Sequence, residues 1–334
     1  MGRITIYNTS CLNQGYSHNN GTCQNNSKWM SKLKDNKTLS SLSIPGTHDT
    51  MSLGFGGDIA QTQSKTLENQ LISGVRFLDI RLAARPQSKD FLYLHHGFVY
   101  LNATFNQVLN ILINFLKNNP TETIIMRLKQ EYTNESYDVF IALLEKFLNN
   151  PAYSNYVYNN IQNTNPTLKE LRGKILVLQN FGGTLKWMSY SNNFYIQDHY
   201  ILKNNWDLYS KWEKVKSHLM EANQSFLKGN STKFMNFTSA NEGSFPYFVA
   251  SGHSSPQTSA PNLLTGLTEP AFKSYYPDFP RVNRFGIFSS IAFEGINELT
   301  KAYIDKNKPS YVGIIVSDFP GQGLINSIIN INNF

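Results

Sequence analysis

Cysteine is almost missing from this chain of 334 residues, and charge is sparse. Only Cys11 and Cys23 occur, both in a polar stretch near the start, and charged residues make up 16% of the whole. Two thiols are too few for a disulfide framework or a Cys₄ zinc site, and in a chain long enough to bury its own core they are expected to stay free. No segment reaches the roughly 18 uninterrupted apolar residues that a membrane-spanning helix needs. The opening MGRITIYNTSCLNQGY turns polar before an apolar leader core can form. No signal peptide is therefore expected here, which favours a cytoplasmic location, with secretion the alternative if a leader has been removed.

Several chemical signatures are missing as well. No GxGxxG or Walker-type loop opens a helix, which counts against nucleotide binding. Without an HExxH, a CxxC pair or an EF-hand loop, metal binding lacks support, and no GxSxG provides a serine nucleophile at a strand-to-helix turn. Internal repeats are absent, and no linker is biased enough to divide two domains.

The chain does carry apolar residues at 40% and a net charge of +7, from 30 Lys and Arg against 23 Asp and Glu. That charge is scattered rather than gathered into runs, and no basic-aromatic motif for nucleic acid occurs. An anionic lipid surface or a phosphate-bearing substrate fits the same charge equally well.

Apolar β-prone runs bounded by turn residues predict eight strands, at 39–45, 74–82, 91–97, 123–132, 173–181, 194–200, 232–240 and 311–319. Amphipathic segments lie between them. In TFNQVLNILINFLK, Phe105, Val108, Leu109, Leu112, Phe115 and Leu116 recur at helical spacing. NWDLYSKWEKVKSHLM and FEGINELTKAYIDKN read similarly. Eight strands alternating with helices predict an α/β fold of the closed parallel (β/α)8 barrel type, with an open doubly wound sheet as its rival. One domain over 1–334 is expected, with a polar N-terminal extension over about 1–30. A Gly-, Pro- and Ser-rich excursion over about 241–285 is expected at the barrel rim.

Side chains alternate along a strand, so Asp79 and Arg81 share a face with Val75 and Phe77. By the same count Arg127, Lys129 and Glu131 line up with Ile125, Asp198 and Tyr200 with Ile196, and Asp318 with Val316. Each polar residue falls late in its strand, after apolar ones have filled the deeper layers. Unlike charges brought to one barrel mouth are costly unless they pair with each other or with a ligand. Singly, each has a plain structural role: His48-Asp49 as a capped turn, Asp318 as a helix cap, Lys129 with Glu131 as an ion pair. Together with His95-His96, they make a set suited to phosphodiester cleavage: one imidazole to take a proton, one to give a proton, and a guanidinium for the phosphate charge.

The motifs SIPGTHDT, FLDIR, LHHG, NPTETIIMRLKQEY and VGIIVSDFP closely resemble the phosphatidylinositol-specific phospholipase C X-domain family in its single-domain bacterial-type form. The resemblance is dense over 39–132 and thinner beyond. It implies a distorted TIM barrel in which the inositol 2-hydroxyl attacks its own phosphate, releasing diacylglycerol and a cyclic inositol phosphate. It also implies His48 as general base, His96 as general acid, Asp318 orienting the base, Asp49 supporting the acid and the arginine, and Arg81 on the phosphate. Lys129, Asp198 and Tyr200 would hold the inositol ring. Arg81 stands where metal-dependent relatives hold Ca²⁺, so no cofactor is expected. The implied partners are phosphatidylinositol or a related anionic lipid and a peripheral membrane surface. One departure is LQNFGG after the fifth strand, where Asn180 replaces an arginine that touches inositol. Phe55, Trp187 and the aromatics of 241–285 either dip into lipid or pack the rim down. The competing functions are a phosphodiesterase for another glycero- or sphingophospholipid and a catalytically silent lipid-binding module.

Overall fold

The computed structural model describes residues 8–256, 260–268 and 274–333. Strand β1 (Ile44–Thr47) is followed by β2 (Phe77–Ala84), β3 (Leu92–His96), β4 (Val99–Thr104), β5 (Ile124–Gln130) and β6 (Ile175–Asn180). Next come two short strands, β7 (Met188–Ser189) and β8 (Tyr195–Gln197), then β9 (Phe234–Phe237). Three more, β10 (Leu264–Thr268), β11 (Arg281–Phe285) and β12 (Phe288–Ala292), precede β13 (Ile314–Ser317).

Eight of these strands run parallel in the order β7-β6-β5-β2-β1-β13-β9-β8. The sheet curls into a distorted (β/α)8 barrel, and among the described residues no ladder joins β7 to β8. The expected barrel is therefore present, but two of its expected strands are corrected. Residues 91–97 are not a barrel stave: β3 pairs antiparallel with β2 and with β4, forming a hairpin that turns at Gly97-Phe98. Gly97 has φ +53°, as a tight two-residue turn requires. Composition marks such a run as a strand but does not give its direction. The missing stave is β7, two residues long and too short for any pattern to reveal. The first expected strand, 39–45, begins as a 3₁₀ turn over Leu39–Ser41 before β1.

The predicted helices fall at Phe105–Asn118, Leu208–Leu227 and Ile296–Asn307. In the first, all six apolar positions named above are buried, and Gln107 Oε1 accepts the Thr104 N–H at 2.9 Å, closing the helix start. Gly46 is needed where β1 meets β2, since a Cβ there would stand 2.8 Å from the Phe77 ring. The register then stacks the site. Asp79 is level with Arg127, and one pleat higher Arg81 is level with Lys129 and Lys129 with Asn180.

The rim excursion carries a short helix, Pro246–Ser251, and the antiparallel sheet β10-β12-β11, so it runs on to Ala292. Phe279 is buried against Tyr209, at 4.8 Å between ring centres, and against Phe293 at 5.3 Å. These aromatics fasten the excursion to the helix Leu208–Leu227. The cysteines also depart from expectation: Cys11 and Cys23 form a disulfide, with Cα atoms 6.2 Å apart. The sequence gives no view of what brings them together. The segment between them is laid down as a strap, with Ser17 N–H donating to the Phe319 carbonyl and Lys65 Nζ donating to the carbonyls of Asn19 and Gly21. Among the described residues no helix is long and apolar enough to cross a membrane.

Candidate active site

The C-terminal ends of β1, β2, β5 and β13, with the β3–β4 hairpin leaning over them, bring six of the expected residues, His48, Asp49, Arg81, His96, Lys129 and Asp318, into one network. His48, just past β1, has Nδ1 2.8 Å from Asp318 Oδ1 and Nε2 2.7 Å from Arg81 Nη2. A guanidinium only donates, so Nε2 carries the lone pair and Nδ1–H donates to Asp318. This is the tautomer a general base needs. Burial pushes the His48 pKa well below the ordinary histidine value, and Arg81 adds to the shift. Burial, with Asp49 nearby, raises the Asp318 carboxyl.

Asp49 follows in a left-handed backbone conformation, φ +39°, which aspartate tolerates better than most residues. That kink turns its carboxylate away from His48 and toward the hairpin, where His96 Nδ1 lies 3.2 Å from Asp49 Oδ2 and 2.8 Å from the Ala60 carbonyl. Both are acceptors, so Nδ1 carries the proton. Burial lifts Asp49 to about 6, against the pull of Arg81 and His96.

Arg81 is the hub. Its Nε and Nη2 donate to Asp79 Oδ2 at 3.2 and 3.0 Å, and its Nη1 lies 3.6 Å from both Asp49 Oδ2 and Glu131 Oε1. Burial alone would lower its pKa, but these three carboxylates hold it well above the arginine value. Burial would likewise raise Asp79, yet Arg81 and Arg127 keep it well below the carboxylate range. Lys129 lies 3.2 Å from Glu131 Oε2, and Glu131 also accepts the Gly97 N–H at 2.6 Å, which fixes the hairpin carrying His96.

The inositol-side residues are less tightly joined. Asp198 is accessible beyond β8, raised by the enclosing walls, with Lys211 its strongest opposing charge. Tyr200 is exposed on the rim and forms no hydrogen bond to the His48–Arg81 network. Asn180 does lack the charge of an arginine, but its Oδ1 accepts from Arg127 Nε at 2.7 Å. Arg127 also donates to Asp79 at 3.1 Å and lies 4.5 Å from the Tyr190 ring centre. A second guanidinium thus stands one layer below the mouth.

Asp79, Arg127 and Glu131 lie on the faces given by residue alternation, and the Lys129–Glu131 pair is present as expected, but nothing in the spacing assigned contacts to Asp79 or Arg127. The Ala60 carbonyl and Lys211 gave no signal at all. Trp187 is buried and packs against Phe181, so of the two readings packing holds for it, whereas Phe55 is exposed. Chemically, the arrangement sets two imidazoles about one buried guanidinium, His48 against Arg81 Nη2 and His96 beside the Asp49 carboxylate that Nη1 approaches.

Comparison with known proteins bears on this geometry. Residues 36–181 match the phosphatidylinositol-specific phospholipase C X domain. A 1-phosphatidylinositol phosphodiesterase of Listeria monocytogenes is 38% identical over 234 residues, 65% of this chain and 69% of the relative. One from Staphylococcus aureus strain Newman is 34% identical over 244 residues, 64% of this chain and 75% of the relative. Among solved structures, the phosphatidylinositol-specific phospholipase C from L. monocytogenes superposes with a TM-score of 0.68 at 29% identity, covering 93% of this chain and all of that one. An S. aureus phosphatidylinositol-specific phospholipase C gives 0.66 at 26% identity, covering 93% and 98%.

Proposed function

This chain belongs to the phosphatidylinositol-specific phospholipase C family, and we propose that it cleaves phosphatidylinositol to diacylglycerol and inositol 1,2-cyclic phosphate by acid-base catalysis without a metal. The observation that carries the reading is the pair of imidazoles held in complementary roles around Arg81. His48 Nε2 takes the proton of the inositol 2-hydroxyl, whose oxygen attacks phosphorus. As that bond forms, the bond from phosphorus to the glycerol oxygen breaks, and His96 supplies the leaving oxygen with a proton from Nε2. Asp318 holds the base through Nδ1, and Asp49 with the Ala60 carbonyl holds the acid through its own Nδ1.

Arg81 must then turn its Nη2 from His48 to the phosphate, which exposes the base as substrate binds and places positive charge where negative charge grows. Lys129, Asp198 and Tyr200 are the groups assigned to the inositol ring. Metal independence rests on charge: Asp79, Asp49 and Glu131 already share Arg81, with Arg127 also on Asp79 and Lys129 on Glu131, and a divalent ion among them would face a fixed guanidinium.

The experiment is ³¹P NMR of phosphatidylinositol vesicles with the protein in excess EDTA. A cyclic phosphodiester resonance is expected. Product formed only after Ca²⁺ is added overturns metal independence. No product in either condition favours another phospholipid substrate or a silent binding module.

The family reading also implies a lipid surface as partner, and exposed apolar residues near the acid support it. Phe98, at the hairpin turn, and Ile59, just before Ala60, are 77% and 75% exposed. Singly exposed apolar residues are ordinary, but two beside the site, with Phe55 near them, mark a face that gains by entering lipid. Ile59→Ser combined with Phe98→Ser is expected to weaken sedimentation with phosphatidylinositol vesicles about tenfold or more. Turnover of a monomeric short-chain phosphatidylinositol should change far less. Equal loss on both substrates would place these residues in catalysis instead of docking.

A further inference from the structure

The strap that Cys11 and Cys23 close lies across the two loops from which the proposed base and its carboxylate project. On the β13 side, the Gly321 and Gly323 N–H groups donate to the carbonyls of Gly15 and Gln14 at 2.7 and 2.8 Å, and the Ser17 N–H donates to the Phe319 carbonyl at 3.0 Å. Tyr16 bridges antiparallel to Pro320. Its ring is buried, edge-on to Phe319 at 5.8 Å between centres, and His18 stacks on the same Phe319 ring at 5.1 Å. On the β1 side, Ser64 Oγ donates to the Ser17 carbonyl at 3.3 Å, and the Thr66 N–H donates to Asn20 Oδ1 at 2.9 Å, beside the two Lys65 contacts already described. The neighbouring Gln63 Nε2 donates to the carbonyls of His48 and Ser317 at 2.8 and 3.0 Å. Strap, base loop and carboxylate loop thus form one layer.

Asp318 depends on that layer for its aim. Its Oδ1 accepts from His48, but its Oδ2 is buried and meets no hydrogen-bond donor among the described residues. The carboxylate is therefore aimed by its backbone. Phe319, the next residue, has φ +45°, a left-handed conformation that a phenylalanine keeps only where its surroundings impose it. The strap supplies much of that imposition, through Ser17, Tyr16 and His18. Its own freedom is limited by the disulfide, since cutting the bond returns chain entropy to any opened state. Cys11 and Cys23 are each only half-buried, so a small dithiol can reach them.

We propose that the strap closed by Cys11–Cys23 is a redox-sensitive positioning element: intact, it holds Asp318 against His48, and its reduction by a dithiol lowers turnover without removing any group that touches substrate. This rests on the phosphodiesterase reading above. In the redox step the dithiol gives two electrons and two protons, the bond between the two sulfurs breaks, Cys11 and Cys23 become thiols, and the dithiol becomes a cyclic disulfide. The chain has no other cysteine, so the reductant has one target.

The test compares the full chain before and after dithiothreitol, alongside a Cys11→Ser, Cys23→Ser double variant. Amide hydrogen exchange at Gly321 and Gly323 is expected to quicken about tenfold to a hundredfold on reduction, with the amides of β5 unchanged. On phosphatidylinositol, kcat should fall about tenfold with KM little altered. The same relative fall is expected in His96→Ala, which leaves the base side intact, and no further fall in Asp318→Asn, where the group being positioned is already lost. The double serine variant should match the reduced protein and ignore dithiothreitol; if it does not fold, reduction of the folded wild type decides. Unchanged exchange, an unchanged kcat, or an equal fall in Asp318→Asn overturns the proposal, the last by showing general loosening. An inactive oxidised wild type would instead refute the phosphodiesterase reading, while exchange still reports on the strap.

Discussion

His48→Ala and His96→Ala are each expected to lower turnover of phosphatidylinositol by about 10²–10⁴, the usual contribution of a general base or acid, with thermal unfolding little changed. Both imidazoles lie at the mouth, with side chains 14% and 15% exposed, so truncation opens space to solvent without hollowing the core. The losses should differ in character. With His48 removed, Arg81 Nη2 keeps only Asp79 as acceptor, Asp318 loses its donor, and the attacking hydroxyl has no base. With His96 removed, attack is still prepared but the glycerol oxygen must leave unprotonated. A substrate with a leaving group that needs no proton, such as a nitrophenyl phosphodiester of inositol, should therefore rescue His96→Ala and not His48→Ala. In wild type the lowered pKa of His48 keeps the base form present below the ordinary histidine range. Near wild-type turnover in both alanine variants would end the acid-base assignment.

The second large effect is expected at Arg81→Lys, which conserves charge and loses shape. Arginine here spans Asp79, Asp49, Glu131 and His48 at once, using Nε, Nη1 and Nη2 in one plane. A lysine ammonium offers three donors at one point and cannot meet carboxylates on opposite sides. Loss of one well-placed donor to a developing anion typically costs about 10²–10³ in rate, and a fall of that order in kcat is expected. Some stability should go with it, because buried Asp49 and Asp79 would keep poorer partners. Asp79 retains Arg127 at 3.1 Å, so folding should survive and the kinetics remain measurable. Steady-state kinetics together with a melting curve checks this, and an unaltered kcat would show that the planar grip is not needed.

The elements that could be read beforehand share one property: their signal lies within a few consecutive residues. Alternation placed Asp79 with Arg81 and Arg127 with Lys129, and helical spacing gave the buried face of Phe105–Asn118. Direction and closure were hidden because they depend on partners far along the chain. The run Leu92–His96 looks the same whether parallel or antiparallel, and β7 has too few residues to carry a period. The site divides in the same way. Residues named from the motifs do meet in one network, whereas the Ala60 carbonyl, the Arg127–Asn180 contact and the burial of Lys211 could not be read from the sequence. A backbone oxygen has no identity in sequence, and a buried lysine in a polar helix looks like any surface lysine. The cysteines were misjudged because pairing depends on the path of the strap.

The proposed base and the carboxylate that orients it are separated by 270 residues, and β1 lies in the barrel between β2 and β13. At ordinary synthesis rates of about 5–20 residues per second, β1 waits roughly 15–50 s for its second neighbour to be made. For that time one of its edges has no ladder, an arrangement that favours wrong pairing over slow long-range closure. Until Asp318 arrives, His48 has no acceptor for its Nδ1 proton. The growing chain would therefore be inert toward the lipids around it, and competence would come late, with the strand that closes both ladder and site.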